Sequence, residues 1–182
     1  MSSIWYFVYK QLFGLTIDEN VVISEEIPST WLTYQNGSLF TFKYPSDWYI
    51  ENPSGDPNLM EGQNVHDSLF IIPLPAKDNE YTTLTFEECV NQYYESCEER
   101  MDIDVKVSEY TKDVVAQTIS VNGYEGYSVS GQTDILHNGM FTPVKETRTK
   151  IGDDILTLNS SGTPAVSMHD KILSSFSFSS PQ

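Results

Sequence analysis

The segment from Thr85 to Met101 constrains the fold most, because its apolar residues have the spacing of a helix. These residues recur every three or four positions, at Phe86, Cys89, Val90, Tyr93, Tyr94, Cys97 and Met101. That spacing places them on one stripe of a helix with about 3.6 residues per turn. Thr85 followed by Glu88 matches a capping box, which satisfies free N–H groups of the first turn. The segment therefore predicts an amphipathic helix of about 25 Å that covers one face of a sheet.

The two cysteines of the sequence, Cys89 and Cys97, both fall in this predicted helix. Eight residues of helix would separate their Cα atoms by roughly 12 Å. A disulfide requires Cα atoms closer than about 7 Å. The helix prediction therefore implies two free thiols that pack as small apolar side chains. Two free thiols leave the redox compartment open.

The charge of the chain excludes one class of partner. The 182 residues include 26 Asp and Glu against 10 Lys and Arg, for a formal net charge of −16. Non-specific affinity for nucleic acids depends on Lys and Arg that neutralise phosphates, so we expect no nucleic-acid binding. An acidic surface suits solubility, a basic protein partner or divalent cations. The length indicates one domain plus a tail.

Residues 1–15 form a hydrophobic N-terminal segment, with an unbroken apolar and aromatic run from Ile4 to Tyr9 followed by Lys10. The run is shorter than the roughly 20 apolar residues that span a bilayer. It also lacks the basic region and cleavage site of a signal peptide. Its aromatic residues and Lys10 resemble the interfacial end of a membrane span, so we interpret it as a membrane-span remnant. The alternative is an amphipathic segment that packs on the domain or frays.

The rest of the chain divides into a linker and a strand-rich domain. Residues 16–30 are predicted to be an acidic linker, and residues 31–182 to be the globular domain. Asn-Gly pairs at 36–37 and 122–123 suit hairpin turns, and a third pair at 138–139 marks another turn. Pro164 suits the first turn of a closing helix, whose apolar face carries Ala165, Met168, Ile172 and Leu173.

The order of these motifs resembles the PsbP-like family over roughly residues 33–178. The motifs that carry the resemblance are Tyr44-Pro45-Ser46-Asp47-Trp48, Thr85-Phe86-Glu87-Glu88, Asn122-Gly123-Tyr124-Glu125-Gly126-Tyr127 and Ser174-Ser175-Phe176. The resemblance implies an α+β fold, in which an antiparallel β-sheet is flanked by helices in an α/β/α sandwich.

Several branches of the PsbP-like family bear on function. The plant branch is an extrinsic subunit of photosystem II, a nuclear branch binds the Ran GTPase, and prokaryotic members look like lipoproteins or membrane-anchored domains. This sequence has no transit peptide and no lipobox cysteine ahead of the domain, and its N-terminal run is most similar to the anchored prokaryotic branch. The resemblance implies a non-catalytic protein-interaction or assembly domain at the outer side of a membrane. Its protein partner is unknown, its membrane contact is the N-terminal segment, and a cytoplasmic location is the alternative.

The sequence contains no strong catalytic or metal motif. His66, His137 and His169 are scattered, and we predict ordinary loop or helix-surface histidines. The best cluster for a divalent cation is in the loop of residues 52–67, at Asp56, Glu61, His66 and Asp67. Oxygen ligands in a loop suit weak binding of calcium or manganese, although a solvated loop explains the same residues. The alternative function is an enzyme with a metal-assisted site in this loop, and we expect no organic cofactor.

Overall fold

The computed structural model describes residues 16–37, 39–52, 65–77, 80–89, 97, 101, 103 and 110–178. Within this part of the chain, eleven strands and one continuous helix are present. The strands are β1 (Thr16–Ile23), β2 (Leu32–Asn36), β3 (Phe40–Tyr44), β4 (Trp48–Glu51), β5 (Val65–Pro73), β6 (Tyr81–Glu88), β7 (Thr111–Val121), β8 (Tyr124–Thr133), β9 (Thr142–Ile151), β10 (Asp154–Ser161) and β11 (Ser177–Phe178). The helix, α1, spans Thr163–Ser174.

The strands form a large sheet and a small one. The large sheet has the order β1-β7-β8-β9-β10-β6-β5-β4, and the small sheet has the order β11-β3-β2. All neighbouring strands are antiparallel except β1, which runs parallel to β7. The predicted antiparallel sheet is thus largely confirmed. The described residues are mainly β, and they do not support helices on both faces in an α/β/α sandwich.

The main core lies between the large sheet, the small sheet and α1. Strand β6 shows how the sheet contributes, because alternate side chains point to opposite faces and Thr82, Leu84 and Phe86 are buried. The predicted closing helix is confirmed, with Pro at its start and Ala165, His169, Ile172 and Leu173 buried. The small sheet adds Phe40 and Phe42, and the aromatic cluster extends to Phe176. Each fully buried aliphatic or aromatic side chain contributes roughly 1.5–3 kcal/mol.

The structure corrects the start of the predicted helix from Thr85 to Met101. Thr85 to Glu88 belong to β6, in which Phe86 pairs with Leu156 and Glu88 with Asp154 of β10. The capping box is therefore absent, because these residues are held between two neighbouring strands. Cys97 and Met101 have helical conformation, whereas residues 90–96 and 98–100 lie outside the described residues. Buried and partly exposed residues alternate along β6, so these residues follow the two-residue period of a strand rather than the period of a helix.

The prediction of two free thiols is wrong. Cys89 and Cys97 form a disulfide, and their Cα atoms are 5.0 Å apart. The separation of roughly 12 Å assumed an unbroken helix, but Cys89 follows the end of β6. Both cysteines are buried with Met101 and Ile155 in a second apolar cluster. The disulfide therefore links the end of β6 to a helical residue.

The predicted acidic linker of residues 16–30 begins too early. Thr16–Ile23 form β1, which extends the large sheet, and Ile23 is buried in the main core. The acidic residues suggested a linker. A strand at the edge of a sheet can bury one face and leave the other in water, so acidic residues are compatible with it. The predicted domain start at residue 31 is therefore moved to residue 16. The N-terminal segment of residues 1–15 lies outside the described residues, so its membrane interpretation stays a prediction.

The predicted Asn-Gly hairpin turns are present. Leu39 N donates to Asn36 O at 2.9 Å between β2 and β3. Asn122 and Gly123 both have positive φ, 51° and 85°, as the type I′ turn between β7 and β8 requires.

In the part of the chain that the structure describes, no helix is both long and apolar enough to cross a membrane.

Candidate functional site

A groove of about 400 Å³ opens on the large sheet, where β7, β8, β9, β10 and β6 lie side by side. Strand alternation puts the side chains of Val144, Glu146 and Asn159 on the face opposite α1, because the neighbouring residues Thr147 and Ser160 point toward the helix. The lining combines apolar and polar side chains, among them Tyr81, Val114, Val129, Val144, Glu146 and Asn159. This mixture suits an amphipathic ligand or a segment of a protein better than a small ion.

Both charged residues that line the groove in the described part of the chain, Lys145 and Glu146, are in ion pairs. Lys145 pairs with Asp170 of α1, and Glu146 pairs with Arg148. Nε and Nη2 of Arg148 each lie 2.8 Å from Oε1 of Glu146, and Asn159 Nδ2 donates to Oε2 at 3.5 Å. The side chains of Arg148 and Glu146 are 26% and 24% exposed, so water still reaches the pair. The pair neutralises the carboxylate within the sheet. The groove can therefore accept polar groups without burying an unpaired charge.

One hydroxyl beside the groove has no hydrogen-bond partner in the described part of the chain. This is Ser161 Oγ, on a side chain that is 4% exposed. Buried polar atoms normally have a partner, since an unsatisfied hydroxyl costs about 1–3 kcal/mol. Ser161 is thus a polar position that a ligand or water in the groove could satisfy.

A second polar cluster is buried under α1 around His169. Nδ1 of His169 lies 2.8 Å from Ser160 Oγ, and Nε2 lies 2.9 Å from Thr147 Oγ1. The Thr147 hydroxyl donates to Ser128 Oγ at 3.0 Å, so it accepts a hydrogen bond from Nε2–H. Nδ1 then accepts from Ser160, whose Oγ lies 2.8 Å from Thr82 Oγ1. These bonds put the proton of the neutral imidazole on Nε2.

Burial keeps this imidazole neutral and out of reach. Removal from water lowers the pKa of His169 well below its ordinary value, and the positive charge of Lys145 lowers it further. His169, Thr147 and Ser160 have no exposed surface. The Ser160–His169 contact resembles a nucleophile–base pair, but no substrate atom can reach it in this fold. The cluster thus serves to join α1 to the sheet, and the prediction of a surface histidine is wrong at His169.

The candidate metal residues are not brought together in the described part of the chain. Asp56 and Glu61 lie outside the described residues. His66 and Asp67 are in β5 rather than in a loop, and only their backbone is described. Among the described side chains, no group of three or more His, Cys, Asp and Glu could hold a metal ion. The divalent-cation site therefore stays a prediction.

The loop of residues 134–141, here called the hairpin tip, exposes apolar side chains between β8 and β9. Ile135 is 44% exposed, and Leu136 and Met140 are each 66% exposed. The sequence analysis marked only the Asn138-Gly139 turn in this loop. The signal in the sequence is the set of apolar residues on both sides of this turn, Ile135 and Leu136 before it and Met140 after it.

Comparison with known proteins tests the fold directly. No family model matches this sequence, and no curated protein sequence matches it either. The solution structure of cyanobacterial PsbP from Synechocystis sp. PCC 6803 does match, with a TM-score of 0.54 and 14% sequence identity. The match covers 83% of this chain and 94% of that protein. This chain has the PsbP-like fold. The recognition from the sequence motifs is thereby confirmed, and at this identity the match establishes the fold alone.

Proposed function

We propose that this chain is a non-catalytic interaction or assembly domain that binds a segment of a partner protein in the groove. We further propose that it works at the outer side of a membrane, to which residues 1–15 attach it. The observation that carries the proposal is the groove itself. It is an open surface of about 400 Å³ with apolar and polar lining residues, and its charged lining residues Lys145 and Glu146 are each in an ion pair.

The contrast with the His169 cluster supports a binding role. The imidazole and hydroxyl groups that could perform acid–base chemistry are sealed beneath α1. Among the described residues that line the groove, none is a histidine or a free cysteine. The groove does offer Asn159, Ser161 and Glu146, whose polar atoms suit the backbone groups of a bound peptide. The overall charge of −16 favours a basic segment as the partner.

Two further points concern the location of the chain and the alternative function. An extracytoplasmic location would also be consistent with the aromatic run ahead of β1. The enzyme alternative places its site in residues 52–67, which lie mostly outside the described residues.

Site-specific photocrosslinking in native membranes tests the groove. A photoreactive amino acid at Val144 should give a discrete crosslinked product, because this side chain lines the groove. The same amino acid at Ser167, exposed on α1, is the matched control and should give none. Glu146→Lys should remove the Val144 product, since it places a positive charge beside Arg148. Equal products at Val144 and Ser167 would reject the groove as the binding surface.

A panel of hydrolase substrates tests the non-catalytic part of the proposal. We expect no turnover above the level of a heat-denatured sample. Turnover that Glu146→Gln abolishes, with an unchanged melting temperature, would replace the binding proposal with an enzymatic one.

A further inference from the structure

We propose that the hairpin tip inserts its apolar side chains into the interfacial region of a zwitterionic bilayer, beside the membrane contact of the N-terminal segment. This inference rests on the membrane attachment in the proposed function and adds a second point of contact. It assigns a role to Leu136 and Met140, which neither line the groove nor belong to the core, and it extends the contact to Ile135, at the edge of the groove.

Strand register places the entry of the chain and the hairpin tip at the same end of the large sheet. In the parallel pair of β1 and β7, Thr16 lies beside Val115. The first residue of β7, Thr111, pairs with Thr133, the last residue of β8, which leads into the tip. The chain therefore enters β1 at the end of the sheet that carries the tip. Residues 1–15, with their apolar aromatic run, precede that point directly.

The apolar residues of the tip are held outward by a braced loop. Asp134, which is 5% exposed, accepts hydrogen bonds from Asn138 N at 3.0 Å and Gly139 N at 2.7 Å through its two carboxylate oxygens. The rings of Tyr110 and His137 stack with centroids 3.8 Å apart. A loop that is ordered before binding loses little conformational entropy when its side chains enter another phase. Exposed apolar groups on such a loop indicate an interaction surface.

The distribution of charge orients the molecule and selects the lipid. At the tip, Lys112 lies 4.0 Å from the centre of the Phe141 ring. Two acidic residues, Asp113 and Asp134, lie beside it, so this end of the sheet carries no excess of basic residues that would attract anionic lipids. The opposite end of the sheet exposes Glu25, Glu125 and Asp153. A net charge of −16 repels anionic headgroups. These features favour a zwitterionic surface, with the tip toward the bilayer and the acidic end away from it.

Flotation of the full chain with phosphatidylcholine vesicles tests the inference. We expect Leu136→Glu and Met140→Glu each to weaken partitioning about tenfold, which corresponds to about 1.4 kcal/mol. Val22→Glu is the matched control, because Val22 is 72% exposed but lies near the opposite end of the sheet. It should change partitioning less than about twofold. All three positions are exposed, so an unchanged melting temperature should show that each variant folds.

Fluorescence supplies an independent reading of the same contact. Leu136→Trp should shift its emission to shorter wavelength when vesicles are added, whereas Val22→Trp should not. Equal partitioning of Leu136→Glu and Val22→Glu would overturn the inference. So would a change in oligomeric state of Leu136→Glu, seen by sedimentation without any change in vesicle binding.

A variant in the N-terminal segment separates this inference from the proposed function. If Phe7→Glu abolishes flotation while Leu136→Glu has no effect, the tip contact is rejected and membrane attachment through residues 1–15 stands. If the unaltered chain does not float, both membrane contacts are rejected, and the photocrosslink at Val144 still reports on the groove.

Discussion

Strand β9 supplies polar groups to both faces of the large sheet. The side chain of Thr147 points toward α1, and those of Glu146 and Arg148 point to the face that carries the groove. On the α1 face, the hydroxyl groups of Thr147, Ser128 and Ser160 and the imidazole of His169 bond to one another in a buried network. On the groove face, an ion pair remains about one-quarter exposed. The same types of side chain therefore fix the structure on one face and remain available for binding on the other.

The physical difference between the faces is the environment of each hydrogen bond. A buried network is strong when complete, but each member that loses its partner is expensive. A partly exposed pair exchanges readily with water, and each such pair contributes at most about 1 kcal/mol. Stability should therefore respond strongly to changes under α1 and weakly to changes in the groove.

The largest expected effect is on the α1 face. His169→Ala should lower the free energy of unfolding by about 3 kcal/mol, because it leaves a cavity and removes a partner from Ser160 and Thr147. Urea denaturation measures the change. His137→Asn is the control, since His137 is exposed and has a φ of 53°, which Asn tolerates. A similar small loss in both variants would remove the distinction between the buried and exposed histidines.

The groove face has its own structural bond in the Cys89–Cys97 disulfide. Thiol titration of the unfolded, unreduced protein should detect no free cysteine. Reduction should lower the free energy of unfolding by about 2–3 kcal/mol, because the bridge closes a short loop in the unfolded chain. The double variant Cys89→Ser with Cys97→Ser is the control and should not respond to reductant. Two titratable thiols in the unreduced protein would contradict the disulfide and support the sequence-based prediction of two free thiols in one helix.

A smaller effect should appear as a pH dependence of stability. The folded state lowers the pKa of His169, so below about pH 6.5 the unfolded chain binds a proton that the folded chain does not. Stability should therefore be complete above that pH and fall as the pH decreases, with a slope approaching about 1.4 kcal/mol per pH unit. Urea denaturation at pH 7.5 and 5.5 should show a smaller loss in His169→Gln than in the unaltered chain. Parallel losses would assign the pH dependence to carboxyl groups that both proteins share.

Local sequence determined the elements in which the residue pattern and the tertiary contacts favour the same structure. Phe40 and Phe42 alternate with polar residues, and they form a buried strand because a two-residue period matches one face of a sheet. Asn122-Gly123 specifies its turn because both residues tolerate positive φ. The spacing of Ala165, His169 and Ile172 also placed His169 on the buried stripe of α1, although its residue type suggested the surface.

Tertiary structure decided the elements whose local signals conflict. Thr85 to Glu88 could begin a helix by spacing, yet hydrogen bonds to β10 and β5 hold them in a strand. Thr16–Ile23 form a strand because β7, almost 100 residues later, presents an edge to pair with. The hydroxyl partners of His169 come from β9 and β10. Each outcome depends on groups that are distant in sequence, and local periodicity contains no information about which distant strand will supply them.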